Sequence, residues 1–341
     1  MTIRIAVVGT GGIARQHGKA ISNNEQAELV AAIDVDAGRA RAYAETYGGQ
    51  AYPDLAGCLD RVDAVYILTP PSFRRPYALE AISAGKHVFN EKPLAIQPED
   101  GRAICEAAER AGVVAMTGFN QRYRLGYRRL HQAVASGQLG APYHFWSHRF
   151  GMGAGGEGKI VGTNWRTDPE LCCGMTIESL SHDIDLMRWI LQDEVASVAA
   201  HVHSTVAELP NFDNNAQVLF VMRGGASAIV NASWSSRIGF NSRGVLGTQG
   251  TAFVSGSDVG NNGIWCSTEF HLKTVEDPYE RVEMLHDNLD VRSYQAETDD
   301  FVQAILTGAQ PLVTARDGYE TLRVSQAILE SSRTGETVHL E

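Results

Sequence analysis

The sequence predicts an α/β protein in which a doubly wound parallel sheet is followed by a second domain built on an antiparallel meander. Three observations carry this reading. Residues 2–34 run strand, glycine turn, helix and strand, and end on an acid. Strand-like and helical segments keep alternating through residue 118. From Val195 onward, short strand-like segments succeed one another with glycine turns between them.

Ile3, Ile5, Ala6, Val7 and Val8 form a short apolar run suited to a strand buried on both faces. Gly9-Thr10-Gly11-Gly12-Ile13-Ala14 follows, then a helical stretch through Ala20 and Ile21, and a second apolar run from Leu29 to Ile33 that ends at Asp34. In this context G-x-G-x-x-A is a dinucleotide-binding turn. Gly9 makes the tight turn, Gly11 lets the backbone approach a pyrophosphate, and Ala14 allows close helix–sheet packing. The helix N-terminus offers N–H donors to the phosphates. A carboxylate at Asp34 would accept hydrogen bonds from both ribose hydroxyls and repel a 2′-phosphate, which favours NAD over NADP.

The alternation continues with a helix over Asp36–Tyr47, a short helix over Asp54–Arg61 and a strand at Ala64–Leu68 that ends in Thr69-Pro70-Pro71. A helix over Arg75–Ala84 is stopped by Gly85, and a strand containing Val88 and Phe89 leads into Glu91-Lys92-Pro93. Pro98 opens a helix where proline is tolerated, and Gly112 closes it. Val113–Thr117 is the sixth strand. In such sheets ligands bind beyond the carboxyl ends of the strands. Gly9, Gly11, Gly12, Ile13, Asp34, Thr69, Pro70, Glu91, Lys92 and Asn120 are the candidate cofactor residues at that edge.

After a helix over Gly126–Ser136 come a strand at Tyr143–Phe150, a glycine-rich loop over Gly151–Gly162 and a helix within Leu171–Leu191. Strands follow at Val195–His203, Ala216–Met222, Ala226–Ser235, Gly244–Thr248 and Thr251–Val254. Helices near Glu297–Leu306 and Asp317–Ser332 and a last strand at Val338–Leu340 close the chain. The expected division is a cofactor domain over 1–120 and a substrate and oligomerisation domain over 121–341, with the closing helices able to pack on either.

Composition narrows the function. The chain has 341 residues, 44% hydrophobic and 20% charged, as an ordinary globular protein does. A net charge of −11 disfavours nucleic acid and anionic membrane as partners. The first segment opens directly into a core strand without a signal-peptide pattern. Five scattered cysteines fit reduced thiols, and a cytoplasmic location is expected. His201 and His203 share a strand face, but no acid or cysteine at fitting spacing joins them, so no metal is expected.

Within Met175–Leu191, Glu178, His182 and Asp185 recur at helical spacing beside an apolar stripe of Ile177, Leu180, Ile184, Met187 and Leu191. A histidine with a carboxylate one turn away on each side suits a general base with an orienting partner, Glu178 or Asp185. Taken alone, the triplet suits a solvated surface helix equally. Lys92, at the end of a buried strand, could stabilise a developing alkoxide or simply pair with Glu91. Trp165 offers an apolar face for a sugar ring, and Arg166 offers donors for its hydroxyls.

The Gly9–Ala14 turn, Thr69-Pro70-Pro71, the run Ala84–Pro93, Gly118-Phe119-Asn120-Gln121-Arg122-Tyr123 and Ser181-His182-Asp183-Ile184-Asp185 together resemble the Gfo/Idh/MocA family of oxidoreductases, nearly end to end. The resemblance implies a Rossmann domain followed by an α/β domain with an open, mostly antiparallel sheet that commonly forms the dimer or tetramer interface. It implies Lys92 and His182 in the catalytic site, with Glu178 where the family often has aspartate and Arg74 where it often has histidine. Lys92, Arg122, Trp165, Arg166, Glu178 and His182 are the candidate substrate residues. The expected activity is NAD-dependent oxidation of a secondary hydroxyl of a cyclitol or sugar. NAD-assisted glycoside cleavage and a non-enzymatic sugar or dinucleotide sensor are the rival readings.

Overall fold

The structure, a computed structural model, describes residues 2–152, 165, 168, 171, 174–207, 212–256, 266–287 and 292–341. The chain forms two compact units, Met1–Asn120 with Asp290–Leu322 and Gln121–Leu289 with Arg323–Glu341.

In the first unit, β1 (Ile3–Val8) leads through the glycine turn into α1 (Ala14–Ser22) and β2 (Ala27–Ile33). Asp36 caps α2 (Ala37–Tyr47), accepting hydrogen bonds from the backbone N–H groups of Gly38 at 2.8 Å and Arg39 at 3.1 Å. Next come β3 (Gln50–Tyr52), a 3₁₀ turn at Ala56–Arg61, β4 (Ala64–Ile67), α3 (Arg74–Ser83) and β5 (His87–Glu91). In α4 (Pro98–Ala111), Pro98 and two acids occupy the first turn, and Gly112 ends the helix at φ 64°; β6 (Ala115–Gly118) follows. The six strands described here pair in parallel, in the order β3-β2-β1-β4-β5-β6. The order reverses between β1 and β4, the usual place for a ligand crevice. One face of the sheet, with Ala6, Val8, Val65, Ile67 and Val88, carries Ala78 and Ile82 of α3 and Ile104 and Ala108 of α4.

In the second unit, α5 (Leu125–Ala135) precedes β7 (Pro142–Met152). Most of the glycine-rich stretch expected over Gly151–Gly162 lies outside the described residues. The helix expected within 171–191 is two pieces, α6 (Met175–Glu178) and α7 (Ser181–Leu191), with a tight turn at Ser179 and Leu180 between them. The strands are β8 (Val195–His203), β9 (Asn215–Met222), β10 (Ser227–Ser233), β11 (Ser235–Gly247), β12 (Gly250–Gly256), β13 (Cys266–Thr274) and β14 (Arg281–Asp287). The meander is interrupted, because β7 inserts between β10 and β11 and pairs with β10 in parallel. Every other pairing in this sheet is antiparallel among the described residues. Alternation on β9 buries Val218, Phe220 and Met222 and exposes Leu219 and Val221.

At the end of the chain, α8 (Arg292–Thr307) belongs to the first unit and packs on α1, where Gln295 Nε2 donates to the Ala20 carbonyl at 3.1 Å. Its Phe301 meets the stacked rings of Tyr66 and Phe89 edge-on. Helix α9 (Ala315–Thr334) enters the second unit at Arg323, and β15 (Val338–His339) pairs with β8 at the sheet edge.

Candidate active site

The dinucleotide turn has the backbone that its sequence requires. Gly9 sits at φ 91°, and a Cβ there would come within 2.9 Å of the Leu68 and Thr69 backbone. Over Gly11 and Gly12 an added Cβ would meet nothing within 4 Å, which leaves the space that a pyrophosphate needs. Ala14 is fully buried, and Ile13 starts α1 with no side-chain cap on its N-terminal N–H groups. Asp34 stands at the end of β2. Its Oδ2 accepts from Thr10 N at 2.8 Å and Thr10 Oγ1 at 3.0 Å, and its Oδ1 accepts from Arg39 Nη2 at 2.8 Å. Burial pushes this carboxyl up, but the N–H groups of Asp36 and Thr10 and the Arg39 guanidinium hold it below its ordinary range. At the end of β4, against Gly9, Thr69 Oγ1 is buried without a hydrogen-bond partner among the described residues, and Pro70 is half-buried. The open glycines, the fixed carboxylate and the orphaned hydroxyl all fit a bound dinucleotide.

Lys92 is half-buried, and its backbone N–H donates to Glu91 Oε2 at 2.8 Å. Glu91 is buried, and its other oxygen lies 3.1 Å from His17 Nε2. Burial raises the Glu91 carboxyl, but His17, Lys92 and Arg74 outweigh it and hold the group ionised below its ordinary range. Arg74 clamps this corner. Its Nε donates to the Thr69 carbonyl at 2.9 Å, and its Nη1 donates to the carbonyls of Glu91 and Pro93. The arginine thus ties the ends of β4 and β5 together through backbone acceptors. Asn120 Nδ2 donates to Ser293 Oγ at 3.1 Å.

In the second unit Glu178, His182 and Asp185 are all buried, so the solvated-helix alternative does not hold. The turn that carries Glu178 is anchored by Asp213. The Asp213 carbonyl accepts from Met175 N at 2.9 Å, and its Oδ2 accepts from Thr176 N at 2.6 Å and Thr176 Oγ1 at 2.5 Å. Burial pushes the Asp213 carboxyl up to about 6 against those hydrogen bonds. Gly174, at φ 95°, has no room for a Cβ, which would fall 1.9 Å from Asp213 Oδ1.

Asp185 binds Arg122 through both oxygens, Oδ2 to Nε at 2.9 Å and Oδ1 to Nη2 at 2.6 Å, while the guanidinium lies 5.7 Å over the Trp189 ring. Trp165 is half-buried; Arg166, Asn164 and Cys173 lie outside the described residues.

Sequence reasoning gave Asp183 no role of its own, yet it pins α7 to the sheet. Its Oδ1 accepts from Ser147 Oγ at 2.8 Å, Arg243 Nε at 2.9 Å and Arg243 Nη2 at 2.6 Å, and its Oδ2 accepts from Arg149 at 3.2 Å. Arg243 is fully buried and also bonds to the Tyr127 hydroxyl and to Asn241 Oδ1 at 2.7 Å. Desolvation would raise the Asp183 carboxyl, but Arg243 and Arg149 hold it down. The residue next to His182 is thereby locked to β7 and β11. The only local signal was its place in the Ser-His-Asp-Ile-Asp run.

Comparison with known proteins agrees with this fold. Residues 3–119 match the model of an oxidoreductase family with an NAD-binding Rossmann fold, and residues 127–253 match the GFO/IDH/MocA C-terminal domain. Inositol 2-dehydrogenase 3 of Saccharopolyspora erythraea is 29% identical, over 99% of this chain and 95% of that protein. Inositol 2-dehydrogenase of Rubrobacter xylanophilus is 30% identical, over 98% of this chain and 92% of that protein. Among solved structures, aldose-aldose oxidoreductase from Caulobacter crescentus, complexed with glycerol, superposes with a TM-score of 0.85 at 26% identity, with both chains fully covered.

Proposed function

The chain belongs to the Gfo/Idh/MocA family of oxidoreductases, and from that premise we propose that it oxidises one secondary hydroxyl of a cyclitol or sugar, with NAD as acceptor. The observation that carries the reading is the strand end at Glu91-Lys92-Pro93, where the lysine amide is tied to a buried, ionised glutamate on a sheet whose first turn fits a dinucleotide. End-to-end likeness to proteins named inositol 2-dehydrogenase supports the substrate class.

In this mechanism His182 takes the hydroxyl proton, and Glu178 orients the imidazole and stabilises its charged form. The Lys92 ammonium donates a hydrogen bond to the substrate oxygen and stabilises the negative charge that develops there. Gly9–Ala14, Asp34 and Thr69 would hold the pyrophosphate and ribose of NAD. When bound, NAD supplies the nicotinamide that accepts hydride from the carbinol carbon. Trp165 and Arg166 are the proposed residues for the sugar ring and its hydroxyls.

The outward face of the large sheet carries Leu219, Val221 and Phe240 exposed. An apolar sheet face of this kind supports burial against a second copy, and a homodimer or homotetramer is the proposed assembly, working in the cytoplasm.

The test is NADH production followed by absorbance across a panel of inositols and aldoses. Turnover on at least one cyclitol or aldose is expected. Tightly held NAD with glycoside cleavage and no net NADH would overturn the dehydrogenase in favour of the cleavage reading. Binding of sugar and NAD without turnover would favour the sensor.

A further inference from the structure

His17, Glu91 and Glu297 form a buried set of titratable groups in the first unit, and the mechanism above uses neither His17 nor Glu297. His17 and Glu297 are completely inaccessible, and Glu91 is nearly so. The three come from α1, the end of β5 and α8, so no spacing in the sequence brings them together. One ligand atom from each can be taken so that all three lie within 4.8 Å of one another. Edge contacts with Tyr66, Phe89 and Tyr294, at centroid distances of 5.7, 5.1 and 5.4 Å, fix the plane of the imidazole. Its Nε2 lies 3.1 Å from Glu91 Oε1, within hydrogen-bond reach. Its Nδ1 lies 4.0 Å from Glu297 Oε1, too far for a hydrogen bond. Neither that nitrogen nor either oxygen of Glu297 has a hydrogen-bond partner among the described residues.

Buried polar atoms left without partners are costly to keep, and the cost points to something held between them. The 4.0 Å gap suits two ligands on one ion, since bonds of about 2.0–2.2 Å on each side span up to about 4.2 Å. We propose that this set encloses a buried divalent metal ion of the zinc type, with His17 Nδ1 and the Glu297 carboxylate as ligands. Glu91 then accepts from the ring's other nitrogen, as metal-bound imidazoles commonly require, and so fixes the neutral tautomer with its lone pair on Nδ1. The charges close, because two carboxylates and a neutral imidazole balance a doubly charged cation and leave no net charge in the interior. Burial, and then the like charge of Glu91, push the Glu297 carboxyl well above its ordinary range, and a cation beside it offsets both causes. Mixed nitrogen and oxygen donors favour a first-row transition ion over calcium or magnesium. The ion would pin α8 to α1 and to the end of β5. This role is structural and independent of the assignments at Lys92 and His182.

The test is the zinc content of the full chain, purified from cells grown with added Zn²⁺ and passed through gel filtration in EDTA to strip surface ions. Wild type should retain stoichiometric zinc. Glu297→Gln and His17→Leu should each hold at least about tenfold less, the scale for losing a group that ligates or supports a metal. X-ray absorption at the zinc edge should show nitrogen and oxygen neighbours at about 2.0–2.2 Å and no sulfur. Thermal unfolding adds a readout whose sign separates the two cases. An idle buried carboxyl is a liability, so its replacement by a neutral amide would leave Tm unchanged or raise it. A zinc ligand is a support, so Glu297→Gln should melt about 5 °C or more below the zinc-loaded wild type. Wild type without zinc overturns the proposal, as does sulfur in the absorption spectrum. Zinc that either variant keeps is an adventitious ion only and overturns it equally. So does a Glu297→Gln that melts at or above the wild type. Should one variant not fold, the wild-type zinc content, its absorption spectrum and the other variant decide the matter.

Discussion

Asp34 Oδ2 accepts both donors of Thr10, the backbone N–H at 2.8 Å and the hydroxyl at 3.0 Å, so the dinucleotide turn and the acid at the end of β2 are fixed to each other. The carboxylate is thereby set in place before any ribose arrives.

That preorganisation leads to a cofactor prediction. A 2′-phosphate would meet a fixed like charge, and the native protein should prefer NAD over NADP by about 10–100-fold in kcat/KM, given the few kcal/mol that such a juxtaposition costs. Asp34→Ala should narrow the gap. Arg39, which pairs with Asp34 at 2.8 Å from an exposed position, is the cation able to receive a phosphate, so Arg39→Ala should widen it. Steady-state kinetics with both cofactors decide the point, and a native preference for NADP would sink it.

A second prediction concerns the buried pair of Asp183 and Arg243. Asp183→Asn leaves two guanidinium groups facing a neutral amide and should cost about 3–5 kcal/mol in urea unfolding at pH 7, the range for breaking a buried pair by removing one partner. The carboxyl's pKa is lowered by folding, so its contribution is present above the unfolded value of about 3.9 and is lost as pH falls through the folded value. The gap between wild type and variant should therefore hold steady from pH 8 to 5 and shrink below about pH 4. A gap that grew on acidification would contradict the assignment.

The third prediction is assembly. Light scattering at micromolar concentration should give the mass of a dimer or tetramer, and Leu219→Glu combined with Val221→Glu should reduce it, since both side chains lie on the outward face of β9. A monomeric wild type would refute it.

The first unit was legible in the sequence because its signals are local: an apolar run, a glycine turn and an acid lie within one βαβ stretch, and the structure reproduces them at Ile3–Val8, Gly9 and Asp34. Strand β3 was passed over because three residues, Gln50–Tyr52, carry too little pattern. Strand β14 was passed over because Arg281, Val282, Glu283 and Met284 are all exposed and alternate weakly. The parallel insertion of β7 beside β10 joins segments far apart in the chain and leaves no local trace. The same holds for the supports of the candidate site. His182 and Lys92 stand in recognisable runs, but Arg243, Asp213 and Arg74 act through partners distant in sequence. A buried arginine or glutamate reads in isolation as a surface residue.

The measurement that tests the central claim most directly is the pH–rate profile of kcat for wild type, His182→Ala and Lys92→Ala on the best substrate, with NAD affinity titrated separately. Alcohol oxidation by the wild type should rise with pH along an acidic limb as the base loses its proton. His182→Ala should lower kcat by about 10²–10⁴, the usual worth of a positioned general base, and remove that limb. Lys92→Ala should also damage kcat while NAD affinity stays close to native. A His182→Ala variant with near-native kcat and the same acidic limb would contradict the account and hand the role of base to another residue, with Lys92 the first to be examined.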